Sequence, residues 1–292
     1  VTADQAGRIC PDCQRPLAGP VCECGWAVGA RDGVPEYLST HDRQSPLFAD
    51  YIRTYDEIAS DDLATSMQPK ALLERKSASI IELLGPLNPG TRVCDVGVGQ
   101  GDVLGRLRAR PGLHVTGVDI ASPYLRRLVD DPAVDVLVAN AENLPFAGAF
   151  DVVVSTDVIE HVLNVGDYLL SVHRALRPGG RFVVRAPFRE DLLQYARQRG
   201  CSYDMVHLRT FDRRLLVEQL RAAGFLPRRV ELDGYFPGRT RRWLGSGAIA
   251  SRAAGVAERT VLGPRYRLRR AQALAAHALV LPVEITVAAQ RA

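Results

Sequence analysis

Asp95-Val96-Gly97-Val98-Gly99-Gln100-Gly101-Asp102 is the stretch on which the fold turns. It follows the apolar, strand-like run Arg92-Val93-Cys94-Asp95-Val96 and precedes a helical pattern over 102–109. Glycines so placed allow positive φ and a close approach of backbone to ligand at the carboxyl end of the first strand of an open sheet. A G-x-G motif alone is a weak signal, because dinucleotide-binding folds and ordinary tight turns share it. The spacing separates the options. A dinucleotide fingerprint, G-x-G-x-x-G, opens a helix onto a pyrophosphate, whereas this loop reads Asp-x-Gly-x-Gly-x-Gly. An acid two residues before the first glycine suits a ligand with a positively charged amino-acid end and repels a pyrophosphate.

On the amino-terminal side, Leu73, Ser77, Ile80, Ile81 and Leu84 share one helical face, and Gly85-Pro86 ends that helix. On the other side, short apolar runs at 113–118, 134–139, 150–155 and 180–186 alternate with helix-length segments. Such alternation predicts an α/β fold, a parallel sheet with helices on both faces. A further helix over 212–223 can be capped by Asp212 and ended by Gly224, and strands are expected at 226–235 and 283–288. The 292 residues, 47% hydrophobic and 24% charged, describe a folded chain with room for one sizeable domain and a small satellite. No run approaches the roughly 20 apolar residues of a membrane span, and no secretory signal pattern opens the chain, so a cytoplasmic protein is expected.

Four further motifs follow the glycine loop in order: Val118-Asp119-Ile120; Asn140-Ala141-Glu142-Asn143-Leu144-Pro145-Phe146; Phe150 through Val162 with Thr156-Asp157-Val158-Ile159-Glu160-His161; and Leu176-Arg177-Pro178-Gly179-Gly180-Arg181-Phe182, read as a sharp turn into a strand. With the loop, they resemble a class I S-adenosylmethionine-dependent methyltransferase of the quinone, sugar and natural-product type, over about residues 70–236 plus the last strand. The resemblance implies a Rossmann-like seven-stranded sheet in the order 3-2-1-4-5-7-6. It also implies cofactor contacts at Asp95, Gly97, Gly99, Gly101, Asp119, Ile120, Asn140, Ala141, Glu142 and Thr156, with Asp119 accepting both ribose hydroxyls. Asn140 stands where the family usually has Asp, keeping an acceptor for the adenine amino group without the charge.

Methyl transfer from a sulfonium asks the protein to align three atoms and, where needed, to remove a proton from the acceptor. His161 is the leading base, since a neutral imidazole can accept a hydroxyl proton near pH 7. His207, in Asp204-Met205-Val206-His207-Leu208-Arg209, is the second candidate. Asp157 and Arg209 are expected to contact the acceptor. The Asn/Asp-Pro-Pro-Tyr motif of exocyclic-amine methyltransferases is absent after the fourth strand, and no Cys lies near that loop. Oxygen or simple nitrogen acceptors remain, oxygen being favoured.

Four of the six cysteines crowd into Cys10-Pro-Asp-Cys13 and Cys22-Glu-Cys24-Gly25. Two close pairs favour a metal over disulfides, and Zn²⁺ closes such a site with four ligands at about 2.3 Å. A segment this short cannot bury a core of its own, so metal binding would supply its folding. From Ile9 to Leu38 it resembles the zinc ribbon of guanine-N1 ribosomal RNA methyltransferases and of Trm-type activators, including the ending Asp32-Gly33-Val34-Pro35. The expected organisation is a ribbon over 1–40, a helical linker over 41–69 and the methyltransferase domain over 70–292. Cys94 reads as a buried small hydrophobe and Cys201 as a loop thiol.

Charge is divided unevenly. Residues 195–292 carry 18 Arg against 7 acids, whereas residues 1–194 are net −7. An insertion over 238–282, with Arg239-Thr240-Arg241-Arg242-Trp243 and Arg265-Tyr266-Arg267-Leu268-Arg269-Arg270 followed by a helix over 271–281, can clamp phosphates or cover the site with helices. The acceptor is accordingly expected to be a small molecule or a phosphorylated or glycan-type one. Methylation of guanine in ribosomal RNA is the alternative, and a non-catalytic cofactor-binding module docking a partner through its ribbon is a third reading.

Overall fold

A computed structural model describes residues 7–66, 68, 70–190, 207–235 and 282–292. The insertion at 238–281 and Cys201 lie outside these residues. The described elements, in chain order, are β1 (Gly29–Arg31), β2 (Val34–Glu36), α1 (Thr40–Gln44), α2 (Pro46–Ala64), α3 (Lys70–Leu84), β3 (Arg92–Val96), α4 (Asp102–Arg108), β4 (His114–Asp119), α5 (Ser122–Arg126), β5 (Val134–Val138), a 3₁₀ turn (Ala141–Asn143), β6 (Phe150–Thr156), α6 (Val165–Ala175), β7 (Leu176–Pro187), α7 (Arg213–Ala222), β8 (Phe225–Tyr235) and β9 (Pro282–Arg291).

One sheet joins all nine strands in the order β1-β2-β5-β4-β3-β6-β7-β9-β8. Strands β5, β4, β3, β6 and β7 run parallel, and β9 inserts antiparallel between β7 and β8. The last seven strands therefore follow the order 3-2-1-4-5-7-6. Alternation along β3 sends Val93 to one face and Cys94 and Val96 to the other. The first face is covered by α3, α4 and α5 through Ile80, Leu84, Leu104, Leu107 and Leu125. The second is covered by α6 and α7 through Tyr168, Leu169, Val172, Leu216 and Leu220. The helical spacing of those apolar residues is what commits each helix to the sheet, each fully buried side chain contributing about 1.5–3 kcal/mol.

One local expectation is revised. Pro178-Gly179-Gly180 does not turn the chain between a helix and a strand. Instead α6 runs straight into β7, and the segment bulges out of it, Leu176 pairing with Phe150 and Arg181 with Val152. The ribbon segment, moreover, is built into the sheet. Asp32 and Gly33, both at positive φ, close a two-residue hairpin between β1 and β2. Glu36 then pairs with Val138 at the edge of β5. Cys10, Cys22, Trp26 and Tyr37 belong to the same buried cluster as β3, α6 and β7. Arg8, nearly inaccessible, forms an ion pair with Asp135 and lies over the rings of Tyr37 and Phe146.

No helix among the described residues is long and apolar enough to cross a membrane.

Candidate active site

A cavity of about 850 Å³ opens at the carboxyl ends of β3, β4, β6 and β7, within the range of small-molecule sites. Helix α2, started by Ser45 and Pro46 and anchored by Phe48 and Ile52, closes one side with Tyr51, Tyr55, Ile58 and Asp62.

The glycine loop forms the floor. Gly97 has φ +80° and lies so close to Val158 that an added Cβ would come within 2.2 Å of its Cγ2. At Gly99 an added Cβ meets no atom within 4 Å, so backbone is open to a ligand there. The Gly99 N–H donates to Oδ2 of Asp119 at 3.0 Å, and the Ala121 N–H donates to Oδ1 at 2.9 Å. Asp119 is buried, which raises its pKa to about 6 against the opposing pull of these backbone donors. Each oxygen keeps a lone pair for a hydroxyl. Both oxygens of Asp95 are buried without a hydrogen-bond partner among the described residues. Burial, and secondarily the charge of Asp119, push its pKa well above the carboxylate range. A carboxylate in that position is costly unless a donor completes it, and the ammonium end of S-adenosylmethionine is such a donor. These residues fit that cofactor.

The other expected cofactor residues divide. Ile120, Asn140, Ala141 and Thr156 line the cavity. Asn140 also uses its Oδ1 to cap the 3₁₀ turn, accepting from the Glu142 N–H at 2.9 Å. Gly101 does not line the cavity; its φ of +82° starts α4. Nor does Glu142, whose carboxylate accepts the N–H groups of Leu163 and Asn164 at 2.7 and 3.0 Å and so ties down the loop after β6.

Charged groups gather in another part of the lining. Asp157, at φ +57°, takes a bidentate contact from Arg185, with Nη2 at 2.7 Å and Nε at 3.2 Å, and lies 3.7 Å from Lys76. Burial would raise its pKa, but Arg185 and Lys76 hold it below the ordinary value. Lys76 also pairs with Glu284 at 2.5 Å. Two buried cations, Lys76 and Arg185, thus face the buried Glu284 and the half-buried Asp157. Beside them, Glu160 is fully buried and His161 lies edge-on to His207, ring centroids 4.6 Å apart. Nδ1 of His207 is 2.6 Å from Oε2 of Glu190. Arg209 does not line the cavity. Its guanidinium donates to the carbonyls of Ile159, Val162 and Leu163, joining the segment before α7 to the loop after β6.

Sequence reasoning missed Tyr51, Tyr55, Lys76, Arg185, Glu190 and Glu284. The i, i+4 spacing of Tyr51 and Tyr55 was a visible signal of one aromatic helix face. The buried ion pairs had none, because Lys76 and Glu284 lie at opposite ends of the chain.

Away from the cavity, the sulfurs of Cys10, Cys13, Cys22 and Cys24 all lie within 4.8 Å of one another. Cys10 and Cys24 approach to 3.6 Å and Cys13 and Cys22 to 3.5 Å. A tetrahedron with 2.3 Å metal–sulfur bonds has edges of about 3.8 Å, so the set fits one tetrahedral ion. Burial raises the Cys10 thiol to about 12, while the Arg15 backbone N–H lowers Cys13 to about 7.

The sequence profile of a family described as a methyltransferase domain matches residues 70–228. Malonyl-[acyl-carrier protein] O-methyltransferase of Pseudescherichia vulneris is 36% identical over 120 residues, which are 40% of this chain and 47% of that protein. Phosphoethanolamine N-methyltransferase 2 of Caenorhabditis elegans is 28% identical over 116 residues, 37% of this chain and 26% of that protein. The chain spans less than half the length of these relatives. Among solved structures, a chain from the complex of the Haloferax volcanii Trm112 methyltransferase activator with a methyltransferase superposes with TM-score 0.56 at 20% identity, covering 81% of this chain and 97% of that one. It shares the fold.

Proposed function

The chain belongs to the methyltransferase-domain family, and we propose that it transfers a methyl group from S-adenosylmethionine to a hydroxyl oxygen of a small-molecule, natural-product or glycan-type acceptor. One observation carries this reading: a single cavity is lined both by Asp95 and Asp119 and by the His161, His207 and Glu190 cluster.

When bound, the cofactor supplies a methyl group already activated on sulfonium sulfur. Asp119 accepts the ribose hydroxyls, Asp95 takes the ammonium end, and the Gly97–Gly99 backbone lies along the ligand. In the same cavity, the acceptor hydroxyl meets His161 and His207, the groups that activate it. Glu190 orients the His207 ring. Tyr51 and Tyr55 of α2 line the same cavity. Remote from this chemistry, a structural Zn²⁺ held by Cys10, Cys13, Cys22 and Cys24 ties the ribbon segment to the sheet edge.

The test is calorimetric titration with S-adenosylhomocysteine, followed by transfer of a labelled methyl group to a panel of hydroxylated acceptors. One bound equivalent and base-stable O-methyl products are expected. Absence of cofactor binding contradicts the reading.

A second reading, methylation of guanine in ribosomal RNA, draws on an open groove where Arg189, Arg213, Arg214, Arg221, Arg228 and Arg229 gather. Binding to ribosomal RNA fragments that weakens steeply with salt would promote it.

A further inference from the structure

We propose that Glu160, His161 and His207 form a site for one divalent cation, and that this cation holds the acceptor oxygen during transfer. The inference rests on the methyl-transfer reading above and specifies how that part of the cavity handles the acceptor.

The ligand atoms of the three side chains lie within 4.8 Å of one another. Two imidazole nitrogens and one carboxylate oxygen are a donor set for Zn²⁺, Mn²⁺ or Fe²⁺, with bonds of about 2.0–2.2 Å, and three protein ligands leave coordination positions open. The local chemistry points the same way. Glu160 is fully buried, and neither of its oxygens has a hydrogen-bond partner among the described residues; its nearest ionic neighbour is Nε2 of His161 at 3.9 Å. Such a carboxylate is expensive to bury as it stands, and a cation would complete it.

His207 is prepared for ligation. Its Nδ1 is 2.6 Å from Glu190, and donation from Nδ1 to that carboxylate fixes the tautomer whose Nε2 carries the lone pair. The two segments are also fixed relative to each other. The Leu208 N–H donates to the Glu160 carbonyl at 2.9 Å, and Arg209 donates to the carbonyls of Ile159, Val162 and Leu163. This explains why Arg209 faces away from the cavity: it sets the position of its neighbour His207 against Glu160 and His161. A purely structural pair of histidines needs none of this, and it would leave the Glu160 oxygens with no donor.

With two neutral imidazoles, the carboxylates of Glu160 and Glu190 supply charge opposite to a dication. Open positions side by side favour an acceptor that offers two adjacent oxygens, as a vicinal diol or hydroxyphenol does. Bound through its oxygen, the acceptor hydroxyl is acidified and gives its proton to water in the open cavity. An oxygen lone pair then forms the bond to the methyl carbon while the carbon–sulfur bond breaks, its electron pair returning to sulfur. The products are the methyl ether and S-adenosylhomocysteine, and the cation keeps its charge.

The experiment uses the full chain loaded with one equivalent of Zn²⁺, which the four thiolates take first and for which Mn²⁺ does not compete effectively, with no free zinc remaining. Free Mn²⁺ is counted by electron paramagnetic resonance during titration, and S-adenosylhomocysteine affinity is measured on the same samples. One Mn²⁺ per chain is expected, with binding weakened at least about tenfold in both Glu160→Gln and His207→Ala while S-adenosylhomocysteine affinity is kept. No Mn²⁺ bound by the unaltered chain, or equal Mn²⁺ affinity in the chain and either variant, overturns the cation site and leaves methyl transfer standing. Failure of the unaltered chain to bind S-adenosylhomocysteine overturns the methyl-transfer reading instead.

Discussion

The groups proposed to hold the cofactor come from the run around Gly97 and from Asp119, held by the backbone N–H donors of Gly99 and Ala121. Those proposed to meet the acceptor are side chains drawn from α3, β7, β9, the loop after β6 and the segment before α7, held by one another. Backbone donors hold a carboxylate with little dependence on side chains elsewhere. A side-chain network depends on every member, because each removal leaves a buried partner without its counterpart. The cofactor groups should therefore respond to substitution locally, and the acceptor groups collectively.

The largest effect is expected among the acceptor groups. His207→Ala should lower turnover about 10²–10⁴-fold while leaving S-adenosylhomocysteine affinity intact. Steady-state kinetics set beside calorimetry check this, and a parallel loss of cofactor affinity would show that the two sets are not separable. Next, Asp119→Ala removes two charge-assisted acceptors from the ribose, each worth about 1.5–3 kcal/mol, so cofactor binding should weaken at least about 100-fold. Unchanged affinity would remove the ribose assignment.

These two sets were not equally legible in the sequence. The loop could be placed because strand and glycine turn are adjacent in the chain, whereas the role expected of Asp119 is what the family resemblance implies. His161 and His207 were visible as residue types, yet their meeting is a consequence of Arg209 and Leu208 fastening one segment to another, which no local pattern records. Arg209 and Glu142, expected as ligand contacts, hold backbone groups of the loop after β6, a placement that no local pattern records. The cysteine pairs were plain, but the continuation of their hairpin into the sheet turns on the single pairing of Glu36 with Val138.

That continuity makes metal removal a global perturbation. Chelation should lower the melting temperature by several degrees in one transition, because Cys10 and Cys22 share the cluster containing Tyr168 and Phe182. Two separated transitions in calorimetry would mark an independent ribbon.

A smaller effect concerns pH. The carboxyl of Asp119 has a folded value of about 6 against an ordinary 3.8, so the folded chain takes up a proton there between those values. Its contribution to the ligand-free fold is present below pH 3.8 and is lost as pH rises through about 6. Cofactor binding, which needs the ionised form, runs the other way and should weaken by at most about tenfold per unit as pH falls below 6. A flat affinity between pH 5 and 7.5 would contradict this.

Titration of the unaltered chain with S-adenosylhomocysteine, repeated with His207→Ala, tests the division of the cavity most directly. One equivalent bound with equal affinity by both proteins is the predicted result. No binding by the unaltered chain, or binding that collapses with His207, would contradict it.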